Sequence, residues 1–240
     1  MAQSPTPFHA GLTPEQVVEA AVELTRRSHL FGWSIRDLAG LLAVAPSVVY
    51  HHVGGKDLIC RRVVEQVLSQ TKIPQPEPDW REWFRDLLYN LGPLVAQYPG
   101  VAKWTLMHGP TVSAMLPIIE AGIATLDQCG FGERSNLAYA VLLNNAMLTV
   151  SIGDDRLQHE GDGPRDHATM MAEFHETASA ASPRVQRFAE EILGPLTEGA
   201  ARAEHLRDSY YRLAVDIVIA GLDALVGPEA GTVGRSAEGE

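Results

Sequence analysis

The chain has 240 residues, 45% of them apolar and 20% charged, which suits one or two folded domains with a proper core and excludes a disordered or fibrous protein. Its two cysteines, Cys60 and Cys129, give neither a disulfide framework nor metal-ligand spacing, and read as reduced, buried thiols of a cytosolic protein. The net charge of −11 argues at first against nucleic acid, yet residues 1–72 hold 7 Lys and Arg against 6 Asp and Glu, while 73–240 hold 12 against 24.

In chain order, Met1 to Gly11 lacks a charged stretch followed by an apolar core, so no signal peptide is expected, and residues 1–10 read as a flexible tail. Thr13-Pro14-Glu15-Gln16 is a capping box with Pro at the first helical position. Val17, Val18, Ala21, Val22 and Leu24 then make a helical apolar stripe that should end near Gly32. Ser34-Ile-Arg-Asp37 repeats the capping logic for a second helix that buries Leu38, Leu41 and Leu42. Ala43 to Pro46 makes a turn, a third helix runs to about Val53, and Gly54-Gly55 stops it. Lys56-Asp57 opens a fourth helix that continues towards Lys72.

Ile73-Pro-Gln-Pro-Glu-Pro-Asp79 has a proline at every second position, so it should be a stiff extended spacer and a domain boundary. The domains are then 11–72 and 79–226. Helical periods cover 79–97, 100–108, 111–129, 133–153, 166–180, 183–194 and 200–226. Asp154 to Pro164 is expected to be a mobile loop, and 227–240 a disordered tail. No strand, no internal repeat and no apolar run long enough to span a bilayer is expected.

The third helix carries Ser47, Tyr50, His51 and His52, all able to reach a phosphate or a base edge. Leu38-Ala39, Leu42-Ala-Val44, Val49-Tyr50-His51-His52-Val53 and Lys56-Asp57-Leu58 together resemble the TetR family of bacterial transcriptional repressors over roughly residues 13–65. The resemblance implies an all-α fold, with a three-helix helix-turn-helix domain joined to a larger helical ligand-binding and dimerisation domain. It implies phosphate contacts from Tyr50, His52 and Lys56, and base-edge contacts from Ala45, Pro46, Ser47 and Val48. Tyr hydroxyl and Lys ammonium groups suit phosphate oxygens, and Ser47 can donate or accept at a base edge. Ala43 stands where the family usually has Gly, so the turn is expected to differ slightly. The third helix has no Arg, Asn or Gln, leaving Arg36 on the second helix as the nearby arginine and giving DNA shape a larger role. Tyr50 could instead be a core aromatic beside Val53. Adjacent His51 and His52 point to different faces, and His52 is favoured for DNA.

Leu206 to Val226 is apolar almost all round, with Asp216 and Asp223 one heptad apart, and Leu137 to Ile152 is nearly as apolar. Two such helices from each of two subunits would make a four-helix interface across a two-fold axis; the alternative is a helix internal to a monomer core. Trp83, Phe84, Trp104, Met107, His108, Met115, Tyr139, Asn144, Met147, Met170, Met171, Phe174 and His175 mix bulk with a few polar groups, as a small-molecule pocket does, and as a core does. Asn144 draws attention as an amide in an apolar helix that needs a partner if buried. The resemblance implies an effector cavity in this region.

His108, Asp127 and Cys129 come nearest to a catalytic set, but no nucleophile turn, phosphate loop or paired metal spacing accompanies them, so neither enzyme activity, cofactor nor metal is expected. The expectation is a cytoplasmic, homodimeric transcriptional regulator, a repressor, of a palindromic duplex DNA operator. A largely apolar effector, neutral or cationic, would release it, and no membrane is involved. The alternatives are an activator, or a helical interaction protein without small-molecule control.

Overall fold

The computed structural model describes residues 11–158, 167–197 and 200–226, and every regular element among them is helical. The expected tails lie outside the described residues. So does most of the expected loop, although its first part is helical instead.

The N-terminal head is built from local signals. Helix α1 (Pro14–Arg27) starts at the expected capping box: Thr13 N donates to Gln16 Oε1 at 2.9 Å, and Gln16 N to Thr13 Oγ1 at 3.3 Å. Helix α2 (Ile35–Leu41) starts likewise, with Ser34 N donating to the Asp37 carboxylate at 2.7 Å. The Ser34 hydroxyl and N–H hold the Asp37 carboxyl below its ordinary range. Leu41, expected inside, is 46% exposed, because Ile35, Leu38 and Ala39 already fill the inner arc of a two-turn helix. In the turn, Ala43 takes φ 54°, the left-handed conformation glycine would adopt freely, at a strain of about 1–2 kcal/mol for a residue with a Cβ. Helix α3 (Pro46–Val53) turns Val49 and Val53 inward and stops at Gly54, whose φ is 89°. Helix α4 (Lys56–Leu68) closes the head with Ile59, Cys60, Val63, Val64 and Val67. Burial pushes the Cys60 thiol up to about 11, so it stays protonated and unreactive near neutral pH.

Residues 72–78 form no helix, as their prolines require. Helices α5 (Trp80–Ala96), α6 (Val101–His108), α7 (Leu116–Gln128), α8 (Ser135–Gln158), α9 (His167–Ser179), α10 (Pro183–Phe188), α11 (Gly194–Thr197) and α12 (Ala200–Val226) follow. The helix expected over 183–194 passes into a π turn at Ala189–Leu193. Helix α8 is central and packs on α5, α6, α7 and α12. One apolar core runs from Val17 to Ile219, with a small satellite of Ala178, Ala189 and Leu193.

Gly132–Asp154 is long and apolar enough overall to cross a membrane, although polar residues such as Asn136, Asn144 and Asn145 interrupt it. Nearly half of its apolar stretch is buried against the other helices, so core packing accounts for much of its apolar character.

Helix α12 lies in a fixed register. Arg85 donates to Asp216 at 2.8 Å, Tyr89 donates to the same carboxylate at 2.8 Å, and Arg81 pairs with Asp223. The heptad-spaced aspartates therefore face α5. The Tyr211 hydroxyl donates to the Leu88 carbonyl at 2.8 Å, and its ring fills the space left by Gly92, where a Cβ would stand 2.2 Å from Cζ. Helices α8 and α12 are antiparallel: Gly153 lies beside Arg207, and Arg134 bonds the Leu225 carbonyl at 3.4 Å.

Candidate nucleic-acid interface and effector region

The outer face of α3 is a shallow groove of about 350 Å³ lined by Ser47, Val48, His51 and His52. The two imidazole rings stand edge to face, 5.7 Å apart. Tyr50 flanks the groove and is 54% exposed, so it is not the core aromatic that its neighbour Val53 allowed. Ala45 and Pro46 are exposed at the helix start, where no side chain caps the first N–H groups. Arg36 is exposed on α2. The structure thus brings eight of the nine sequence-derived DNA residues to an accessible surface, Val48 and His52 only in part.

Lys56 departs from expectation. Its ammonium donates to the Phe31 carbonyl at 3.0 Å and to the Trp33 carbonyl, and lies 4.8 Å over the Trp33 ring. Carbonyls just past a helix end lack helical partners, and this lysine supplies them. It is first a clasp between the loop after α1 and the start of α4. Trp33, whose Nε1 donates to Thr25 at 3.0 Å, is the partner that sequence reasoning missed.

The head is tied to the body on both sides of α6. Ahead of it, Leu30 N donates to the Pro99 carbonyl at 2.7 Å and Arg26 donates to the Tyr98 hydroxyl. Gly100, at φ 90°, lets the buried His29 ring lie so close that a Cβ there would be 2.5 Å from it, and its N–H donates to Asp154 at 3.0 Å. After α6, Arg61 donates to the Thr111 carbonyl at 2.8 Å, and Glu65 accepts from Ser113 Oγ at 2.7 Å and Ala114 N at 2.9 Å. None of these residues stood out in the sequence, since each pair spans from 48 to 72 positions or runs from loop to loop.

The residues expected around an effector divide. Trp83, Trp104, Met115, Tyr139 and Met147 are buried. His108 is exposed but stacks on Trp104 at 4.3 Å, and His175 is half-buried on α9. Met107, Met170 and Phe174 are exposed. Asn144, expected inside, is exposed on the outer face of α8, because Leu142, Leu143, Ala146 and Met147 occupy the inward arc. Phe84 and Tyr139 meet edge to face at 6.4 Å, and Gly122 makes room for the tyrosine ring, 2.7 Å from where its Cβ would be. The Tyr139 hydroxyl is buried with no hydrogen-bond partner among the described residues, and burial pushes its pKa up, keeping it a neutral donor. Among the described residues, no group of three His, Cys, Asp or Glu could hold a metal.

No family model matches the chain. It is 25% identical over 155 residues to an HTH-type transcriptional regulator of Saccharopolyspora erythraea, covering 63% of this chain and 64% of that protein. The match therefore spans under two thirds of the length of the curated relative. Among solved structures it is similar to apo ActR of Streptomyces coelicolor, with a TM-score of 0.67 and 22% identity over 91% of this chain and 100% of that one. ActR has also been solved with actinorhodin, as a TetR family protein. The TetR protein of Acinetobacter baumannii AYE gives a TM-score of 0.65 at 20% identity, over 90% of this chain and 99% of that one.

Proposed function

The chain has the fold of the TetR family, and from that premise we propose that it is a ligand-responsive transcriptional regulator, a homodimeric repressor of a two-fold-symmetric operator. The observation that carries this reading is the outer face of α3: four polar or small side chains line an open groove on a short helix braced from behind by Val49 and Val53. The S. erythraea relative, itself a regulator of the helix-turn-helix type, supports the same role.

Tyr50 and His52 contact phosphates, while Ala45, Pro46, Ser47 and Val48 meet base edges and Arg36 adds a flanking contact. The head carries hardly any net charge, so two heads acting together supply the affinity that one lacks. The solved complex of ActR with actinorhodin supports a small-molecule effector, and the buried Tyr139 hydroxyl supports a seat for it in the C-terminal region. Here the effector is largely apolar, with a group that accepts a hydrogen bond from Tyr139, and neutral or cationic in an acidic surround. It shifts the balance between two placements of α6, whose flanks hold the heads.

Duplexes selected from a random library by the purified chain test this reading. Tyr50→Phe should weaken binding to all of them about equally, whereas Ser47→Ala should relax preference at one or two positions of each half-site. Full affinity in the Tyr50→Phe variant removes that residue from the interface. A chain with no salt-dependent affinity for any duplex contradicts the whole reading.

A further inference from the structure

His51 stands at the centre of the outward arc of α3. Val49 and Val53 are the buried residues of this helix, so they fix which of its sides faces the core. At 3.6 residues per turn each residue turns the helix by about 100°, and the residue midway between them points opposite to their bisector. That residue is His51. It is exposed, as is Ser47, one turn earlier on the same line. Tyr50 and His52 stand one residue to either side, each about 100° round the helix from His51. The His51 ring meets His52 edge to face at 5.7 Å, and no hydrogen bond from the described residues occupies its nitrogens. The groove around it is otherwise lined by Ser47, Val48 and His52, so no carboxylate in the lining competes for the imidazole.

We propose that His51 is a base-reading residue, whose imidazole donates a hydrogen bond to the major-groove edge of one guanine in each half-site. This rests on the DNA-binding reading above, in which Tyr50 and His52 take phosphates and His51 has no role. When a helix lies in a major groove, the middle of its outward arc meets base edges and its flanks meet the two phosphate walls. Tyr50 and His52 occupy those flanks, which aims the residue between them at the floor. A neutral imidazole carries one donor and one acceptor, and the negative field of a duplex favours the donor towards the DNA. Guanine presents two neighbouring acceptors, N7 and O6. Adenine sets a donor beside its N7, cytosine offers a donor, and thymine has one acceptor beside its methyl group. A lone donor is therefore best satisfied at guanine. Helix α3 has no Arg, Asn or Gln to make the usual two-bond contact, which leaves the imidazole as the nitrogen donor on this arc. Ser47 lies about 6 Å away along the helix axis, close to two base-pair steps of about 3.4 Å, so the two side chains read separate pairs.

The test measures the affinity of the full chain, at fixed salt, for duplexes that it selects from a random library and for their single-position variants. His51→Ala should fold like the wild type, since the side chain is exposed. It should bind the selected duplex about tenfold more weakly. Its preference should relax at one position of each half-site, a G·C pair one or two steps from the pair that Ser47→Ala relaxes. Replacing that guanine by 7-deazaguanine removes N7; this should weaken the wild type and leave the His51→Ala protein unchanged, because the contact is already gone. His51→Asn should move the preference there from guanine to adenine, whose N7 and N6 an amide meets together. A loss in His51→Ala spread evenly over all sequences would make the imidazole a phosphate contact and overturn the proposal. Full affinity in that variant, a relaxed position that is A·T, a 7-deazaguanine effect equal in both proteins, or guanine preference retained in His51→Asn would overturn it too. A wild-type chain that selects no duplex at all overturns the DNA-binding reading itself.

Discussion

The head and the α8–α12 face differ in how their side chains come to be where they are. In the head, capping residues, a turn and paired glycines fix four short helices, and the polar side chains of α3 point outward because Val49 and Val53 must point in. In the body, the helices themselves follow from periodicity, but what each side chain faces depends on residues up to 142 positions away, as Arg81 and Asp223 do. A side chain's role is therefore legible locally in the first region and only through packing in the second.

The largest effect that sharpens this contrast comes from one substitution made in both regions. Gly92→Ala in α5 would drive a Cβ into the Tyr211 ring, itself held by the Leu88 carbonyl, and should cost about 1–3 kcal/mol. Gly40→Ala in α2 meets nothing within 4 Å and should instead stabilise by about 0.5–1 kcal/mol, since glycine is entropically costly inside a helix. Chemical denaturation of the two variants reads both signs; two losses of equal size would erase the distinction.

Next in size, Lys56→Ala should lower stability by about 1 kcal/mol as well as DNA affinity, because its ammonium serves the Phe31 and Trp33 carbonyls. An unchanged Tm with weakened DNA binding would restore the simpler phosphate role. Ala43→Gly should raise stability by about 1 kcal/mol, by relieving the left-handed backbone without touching the reading face. A loss on that substitution would show that the Ala43 methyl makes a contact worth more than its strain.

The smallest effect is one of pH. Burial opposes the charge on Asp216, but hydrogen bonds from Arg85 and Tyr89 outweigh it, so its carboxyl sits below the ordinary range. A depressed folded value contributes stability above the unfolded value, about 3.9, and loses it as pH falls through the lower folded value. The Tm difference between wild type and Asp216→Asn should therefore hold at neutral pH and shrink below about pH 4. A difference that persists in acid would assign it to packing.

Much of this fold is written in the chain. Thr13, Ser34, Gly54 and the alternating prolines of 73–79 mark boundaries because capping and backbone chemistry act over a few residues. The outward-facing side chains of α3 were legible for the same reason, whereas the clasp made by Lys56 was not, since its partner Trp33 lies 23 positions away. The body was legible as helices but not as a site. An amide within an apolar helix reads as buried, and only the packing of α8 shows that Asn144 stands on the outer arc while Tyr139 buries its hydroxyl. The tie between Glu65 and the turn at Ser113 carries no local signal at all.

The central claim, that two copies of this head read a symmetric site, is tested most directly by footprinting the purified chain on genomic fragments that it captures. The account predicts two protected half-sites in inverted repeat, their centres about one helical turn apart, with protection lost at high salt and in an Ile217→Asp variant whose dimer seam is broken. A single protected site without an inverted repeat, or protection untouched in that variant, would contradict it.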